Sequence, residues 1–396
     1  MASTIKITGL GAVCASGGNV EQCLQNMYAG IRNPSPPSLF EADLKVQYPV
    51  FEYKGRLPEE SNTMVTRSVR LLLKALHEAL NQAQLTESDL SSGYRVGVCI
   101  GTTVACTLNN EQFYRAWKDN KTPGFEAIER YLSNNPALFI RKRYNLKGPA
   151  ATVANACSSG TDAIGISMHW LSQDLCDIVI AGGTDELCRT TYLGFASLLV
   201  TSDEPCRPFD ARRKGLNLGE GAGVLVLERD SAANNRKAKA LAYAAGYGTA
   251  ADAFHCSSPH PDGTGLKKAI TFALSQSTLN IRDISFINSH GTSTEANDCA
   301  EGAIISRLFS TEIPVTSTKS YTGHTLGAAG ALEAVFSVKS LCDGMIPATL
   351  GFEHYDEKCM LSPTIKTTAV KTSAALSTSL AFGGTNSALL LTGTEQ

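Results

Sequence analysis

The chain has 396 residues, with 35 Lys and Arg against 37 Asp and Glu, for a formal charge of −2. Charged residues at 18%, hydrophobic ones at 43% and 34 glycines are the profile of a compact α/β enzyme, not of a disordered, collagenous or coiled-coil chain. The balanced charge gives no electrostatic case for nucleic acid or an anionic membrane. The longest apolar stretch, Gly327 to Val338, is short and broken by Glu333, so no transmembrane helix is expected.

Apolar β-branched runs alternate with helical patterns, which predicts an α/β fold. In chain order the expected strands are Ile5–Leu10, Val96–Ile100, Ile178–Ala181, Gly223–Leu227, Leu241–Ala245, Ile284–Asn288, Ala374–Phe382 and Ser387–Thr392. The first is too short and too glycine-broken for a secretory leader. Helices are expected over Val65–Gln82, with Val69, Leu72, Leu73, Leu76 and Leu80 on one face, and over Leu332–Leu341. Proline-rich Asn33–Ser38 reads as a loop and polar Ser231–Lys239 as a linker.

Elements on the two sides of that linker repeat in the same order. Ile5–Gly11 and Ala242–Gly248 both end in G-x-G, and Val96–Thr102 and Phe286–Thr292 both enter Gly-Thr. A loop then enters a small-residue helix at Cys157–Gly160 and again at His324–Gly327, and Gly221–Gly223 parallels Gly383–Asn386. Each match alone is ordinary for α/β chains, but the shared order favours two duplicated halves, 1–235 and 236–396. Cys157 and His324 would then start pseudo-symmetric helices.

The 12 cysteines contain no C-x-x-C, the closest pair being Cys99 and Cys106, so zinc-knuckle and thioredoxin-type signatures are absent. A reducing cytoplasm is the expected setting, with most cysteines buried as small hydrophobes. Cys157, in Ala156-Cys157-Ser158-Ser159-Gly160, differs. A helix starting at Ser158 would aim N–H groups at the sulfur, lower the thiol pKa and offer an oxyanion site. His290 opens a Gly-Thr loop at a predicted strand end, and His324 lies in Thr322-Gly323-His324-Thr325. Either histidine alone reads as structural; with Cys157 they form a Cys–His–His set able to polarise a thioester carbonyl and stabilise an enolate. Lys319 and Glu333 read equally as support for that set or as an ordinary ion pair. Phe382 before Gly383-Gly384 suits a lid. The remaining five histidines read as structural or surface groups.

A-C-S-S-G at 156–160, H-G-T-S-T-x-x-N-D at 290–298, K-S-x-T-G-H-x-L-G-A-A-G at 319–330 and F-G-G-T-N at 382–386 together resemble the β-ketoacyl-[acyl-carrier-protein] synthases. The resemblance runs from Ile5 to Leu391. It implies a thiolase-like αβαβα five-layered fold of two duplicated halves, usually dimeric. It also implies that Cys157 accepts an acyl chain from the phosphopantetheine of an acyl carrier protein, with the N–H groups of Cys157 and Phe382 as oxyanion hole. Thr292 and Thr294 would bond the pantetheine arm, His290 and His324 would promote loss of CO2 and hold the enolate, and Lys319 and Glu333 would support them. Phe382 matches the gatekeeper, and no metal or nucleotide cofactor is implied.

Ala381 stands where the family commonly has glycine, and Arg213-Lys214-Gly215-Leu216-Asn217-Leu218 replaces its usual R-D-G-F-V segment. These departures suggest a specialised type II polyketide ketosynthase, resembling those of aryl polyene assembly, acting as a homodimer or with a chain-length-factor homologue. A housekeeping fatty acid elongation synthase is the alternative. A coenzyme A-dependent thiolase-fold acyltransferase is a weaker one, since a thiolase expects a second cysteine where Gly383-Gly384-Thr385 stands. Arg207 is the expected carrier-protein docking residue, with Arg212, Arg213 and Lys214 as possible contributors.

Overall fold

The computed structural model describes residues 5–59, 65–103, 110–309 and 312–394; Cys106 lies outside them. Ten strands form one sheet: β1 (Ile5–Cys14), β2 (Val96–Gly101), β3 (Ala150–Val153), β4 (Ile178–Asp185), β5 (Gly221–Arg229), β6 (Ala242–Ala251), β7 (Phe286–Asn288), β8 (Val315–Thr316), β9 (Ala374–Leu380) and β10 (Thr385–Thr392). Their order is β3-β2-β4-β5-β1-β6-β10-β9-β7-β8. Adding five to each label of the first half, read outward from the centre, gives the second. Directions correspond too, since β1–β5, β4–β5, β6–β10 and β9–β10 pair antiparallel while β2–β4, β2–β3, β7–β9 and β7–β8 pair parallel.

The halves meet along β1 and β6 through three residue pairs, Ile5–Ala244, Lys6–Tyr243 and Ile7–Ala242. Five helices cover the sheet: α1 (Arg67–Ala83), α2 (Ser159–Ser172), α3 (Thr264–Ser275), α4 (Glu295–Leu308) and α5 (Ala329–Asp343). Helix α1 lies outside the first half, α2 and α5 lie between the halves, and α3 and α4 lie outside the second. The strands are covered on both faces, which is why they read as continuous apolar runs rather than alternating ones.

The repeated G-x-G has one physical cause in both halves. A Cβ on Gly9 or Gly11 would sit 2.1 or 1.8 Å from the carbonyl oxygens of Ala79 and Ala75 in α1. On Gly246 or Gly248 it would sit 2.1 or 2.0 Å from those of Ala273 and Ala269 in α3. Only glycine lets each outer helix rest directly on its strand. Between the halves α2 and α5 cross at glycines as well, since a Cβ on Gly330 would lie 1.9 Å from Thr161 Oγ1. That crossing brings the starts of α2 and α5 together.

Four elements differ from expectation. The polar 231–239 segment is not a plain linker, because Asp230–Asn235 forms a short helix that buries Ala232 and Ala233. Strand β9 stops at Leu380, two residues early, because Gly383 and Gly384 take positive φ (86° and 79°) and turn the chain before Phe382 can pair. β3 and β8, of four and two residues, are too short to leave a readable pattern.

Candidate active site

Cys157 lies two residues ahead of α2, after a turn in which Ala156 adopts a left-handed backbone (φ 47°), unusual for a residue with a Cβ. The turn is held from both sides. Asn155 N–H donates to Ser159 Oγ (2.8 Å), and Ser159 Oγ donates to the Ala156 carbonyl (2.6 Å). One turn into α2, Asp162 accepts from Asn155 Nδ2 (2.6 Å), Ser158 Oγ (2.8 Å) and Tyr247 Oη (2.8 Å), and from Ser387 Oγ. Tyr247 and Ser387 belong to β6 and β10, so Asp162 ties the cysteine turn to the second half.

The local features expected to lower the thiol pKa are present, but they do not win. Burial pushes Cys157 up to about 12, against the downward pull of Lys319 and of the Phe382 backbone N–H that bonds the sulfur. The resting Cys157 is a neutral thiol, which corrects the expectation of a stabilised thiolate.

His290 follows β7. Its backbone N–H and that of Gly291 donate to the Glu301 carboxylate (2.7 and 2.8 Å), which also accepts from Thr378 Oγ1 (2.6 Å). Asp298 accepts from the Phe209 and Ser293 N–H groups (2.7 and 3.1 Å) and fixes the rest of the loop. Lys319 Nζ lies 3.1 Å from His290 Nδ1 and bonds Glu333, with both side chains buried. An ammonium has only donors, so Nδ1 accepts and the ring proton sits on Nε2. Lys319 and Glu333 stand behind His290 and are not part of the cavity lining.

His324 is held through its backbone, donating to the Asn217 carbonyl (2.7 Å) and accepting from Gly219 N–H (3.0 Å). Its Nδ1 is buried with no hydrogen-bond partner among the described residues. The two imidazoles pack edge to face, centroids 5.2 Å apart and 88° between planes. Burial and the Lys319 charge hold both histidines well below the ordinary value, so both are neutral near pH 7.

Cys157, His290, His324, Thr292, Thr294 and Phe382 all line one cavity of about 320 Å³. The threonine hydroxyls bond each other at 2.9 Å. A second cavity of about 550 Å³, lined mostly by apolar and small groups such as Ala154, Gly194, Leu198 and Leu326, touches the first at Cys157, Phe195 and Phe382. The Phe382 ring stacks on Phe195, centroids 5.5 Å apart and 14° between planes. The thiol therefore sits between two chambers, beside a pair of stacked aromatic rings.

The basic segment differs from expectation. Arg213, at 3% exposed, is bound to Asp356 (2.6 Å) and close to Asp298 (3.8 Å), so it is an internal ion pair and no surface contact. Arg207 is 28% exposed between Glu204 (3.6 Å) and Glu353 (3.4 Å), Lys214 bonds Glu204 (2.7 Å), and Arg212 is exposed. Asp162, Glu301 and Phe195 carry no expectation from sequence. Glu301 has one readable signal, lying three residues past Asp298 on the same face of α4. The metal-compatible group among the described residues is Cys299, Asp356 and Cys359, none of which lines either chamber.

Residues 2–233 match the family model described as Beta-ketoacyl synthase, N-terminal domain, and residues 241–353 match Beta-ketoacyl synthase, C-terminal domain. A 3-oxoacyl-[acyl-carrier-protein] synthase 2 of Synechocystis sp. is 32% identical over 400 residues, 96% of each chain. One of Rhizobium meliloti is 37% identical over 335 residues, 80% of this chain and 77% of its own. Among solved structures, the ishigamide ketosynthase/chain length factor superposes with a TM-score of 0.92 at 28% identity, over 99% of this chain and 100% of that one. A ketosynthase from Xenorhabdus doucetiae, solved in complex with its chain length factor, does so with 0.88 at 30%, over 99% and 98%. The duplicated sheet, the buried thiol and the paired neutral imidazoles thus stand in a chain that belongs to the β-ketoacyl synthase family, condensing enzymes of the acyltransferase class.

Proposed function

We propose that the protein is a β-ketoacyl-[acyl-carrier-protein] synthase elongating a polyketide or fatty acid chain by decarboxylative condensation. The observation that carries this is the position of Cys157, where the two chambers meet, with the Phe382 N–H on its sulfur and two neutral imidazoles in the same cavity. In the first step Cys157 Sγ attacks the thioester carbonyl of an acyl-carrier protein. Its proton passes to the departing pantetheine thiol, and the Cys157 and Phe382 N–H groups hold the oxyanion. The apolar chamber beyond the aromatic pair suits the acyl chain.

Malonyl-carrier protein then enters the other chamber, its pantetheine arm bonded by Thr292 and Thr294. Loss of CO2 leaves an enolate, whose oxygen accepts from His290 Nε2–H and from a His324 N–H. The enolate carbon attacks the acyl thioester, and the Cys157 thiolate that leaves takes a proton from water to restore the resting thiol. Lys319, held by Glu333, acts as a positioning group that fixes the His290 tautomer. Arg207 and Arg212 are the docking candidates for an acidic carrier protein, and Arg207 must exchange its two carboxylate neighbours for that contact.

Pairing with a chain-length-factor homologue, as in the polyketide ketosynthases it resembles, is favoured by the exposed apolar side chains on the helices Glu111–Lys118 and Glu126–Ser133. Trp117 and Phe125 are 67% and 68% exposed, and Tyr114 and Leu132 are exposed beside them. Intact-mass analysis with a panel of acyl-carrier proteins and malonyl-carrier protein, with and without a coexpressed partner, tests both readings. An acyl adduct confined to Cys157 and lost in Cys157→Ala is expected; an adduct persisting in that variant, or acylation by coenzyme A thioesters alone, counts against the proposal.

A further inference from the structure

Outside the catalytic cavities, two cysteines from different segments meet beside a buried arginine. Cys299, at the start of the second turn of α4, and Cys359 have their sulfurs 3.7 Å apart. Their backbones are already close, because a Cβ on Gly302, one helical turn past Cys299, would lie 2.3 Å from the Cys359 carbonyl oxygen. Arg213 Nη2 donates to Cys299 Sγ at 3.1 Å, and Cys359 Sγ donates to Asp356 Oδ2 at 3.6 Å. Cys299 is half-buried and Cys359 fully buried.

We infer that Cys299 and Cys359 are a hydroperoxide-sensitive dithiol that closes to a disulfide. The half-buried sulfur is the one an oxidant reaches, and the guanidinium beside it supports negative charge developing there. Cys299 Sγ attacks a peroxide oxygen and the O–O bond breaks. Cys299 becomes a sulfenic acid, and the departing oxygen takes the thiol proton to leave as water. Cys359 Sγ then attacks the Cys299 sulfur and the S–O bond breaks. The Cys359 proton passes by way of Asp356 to the leaving hydroxide, giving a second water. In total two thiols lose two electrons and one hydrogen peroxide becomes two waters. Cys14 and Cys23 are as close, at 3.6 Å, but both are sealed in the core, with no cationic donor on either sulfur among the described residues.

A disulfide needs sulfurs near 2.05 Å, so closure pulls Cys299 from Arg213. Arg213 and the neighbouring Glu295, Ala296 and Asn297 form part of the first cavity's wall. Oxidation is therefore expected to raise the KM for the carrier-bound substrate, reversibly with dithiothreitol; this last step rests on the proposed function, whereas disulfide formation does not.

The test uses full-length Cys157→Ala protein, so that the active-site thiol takes no part. After hydrogen peroxide, alkylation and non-reducing digestion, a Cys299–Cys359 linked peptide pair is expected, with an intact mass lower by two hydrogens and restored by dithiothreitol. In Cys157→Ala/Cys359→Ser, oxidation stops at a dimedone-trappable sulfenic acid on Cys299. Both thiols remaining alkylatable after peroxide would overturn the inference, as would linkage of other cysteines instead. Retention of zinc that protects both thiols until a chelator is added would make the cluster a metal site and overturn it as well.

Discussion

Cys157 is subject to opposed influences of unequal size. The helix start, Lys319 and the Phe382 N–H favour the thiolate, while removal from water disfavours it and holds the thiol up to about 12. Alkylation of the resting protein by iodoacetamide at Cys157 should thus rise about tenfold per pH unit through pH 9 without levelling; a plateau at pH 8 would contradict the burial argument. In the proposed mechanism His290 acts on the enolate, not on the sulfur. His290→Ala is expected to slow malonyl decarboxylation by roughly 100- to 1000-fold, the size of one lost oxyanion donor. Acylation of Cys157, followed by mass, should change far less, and equal losses in both steps would refute that division. The small-residue motifs made Cys157, His290 and His324 legible in the sequence. Burial was not legible there, and so the direction of the thiol shift was missed. Arg213 was hidden for the same reason, because an Arg-Arg-Lys run looks solvated until Asp356 and Asp298 are known to meet it.

At the scale of elements, glycine sets the spacing between helix and strand. Gly11→Ala puts a methyl group where the Ala75 carbonyl oxygen already lies, 1.8 Å from the new carbon, and α1 cannot withdraw without opening the core beneath it. A loss of about 3 kcal/mol is expected, read from the urea midpoint. Gly194, inside the Arg189–Ser197 helix, is the contrasting position, since a Cβ there meets nothing within 4 Å. Gly194→Ala should gain roughly 0.5–1 kcal/mol from helix propensity and a stiffer unfolded chain. Equal effects at the two positions would remove close packing as the reason for the G-x-G. That pattern was readable as a repeat from sequence, and the duplicated strand order followed from it. The Phe195–Phe382 contact was not readable, because it joins distant segments and neither partner marks the other.

Across the whole molecule, the buried cysteines set an alkaline limit. Cys99 and Cys157 are held at about 12, and Cys176 and Cys206 at about 11, each mainly by burial. In the unfolded chain these thiols ionise near 9. Above that pH the unfolded state has released protons that the folded state retains, so stability is full below pH 9 and falls as pH rises toward 11. Each thiol contributes about 1.4 kcal/mol per pH unit in that window. The urea midpoint should hold up to pH 9 and drop sharply between pH 9 and pH 11, and an unchanged midpoint would show that these sulfurs are not sealed from water. The sheet order also governs how the chain is made. Ile5 pairs with Arg229, and β6 lies further along still. At ribosomal rates of roughly 5–20 residues per second, β1 emerges roughly 10 to 45 s before either neighbour exists. For that interval it is an apolar strand with both edges bare, an exposure that the growing chain carries until β5 and β6 emerge to pair with it.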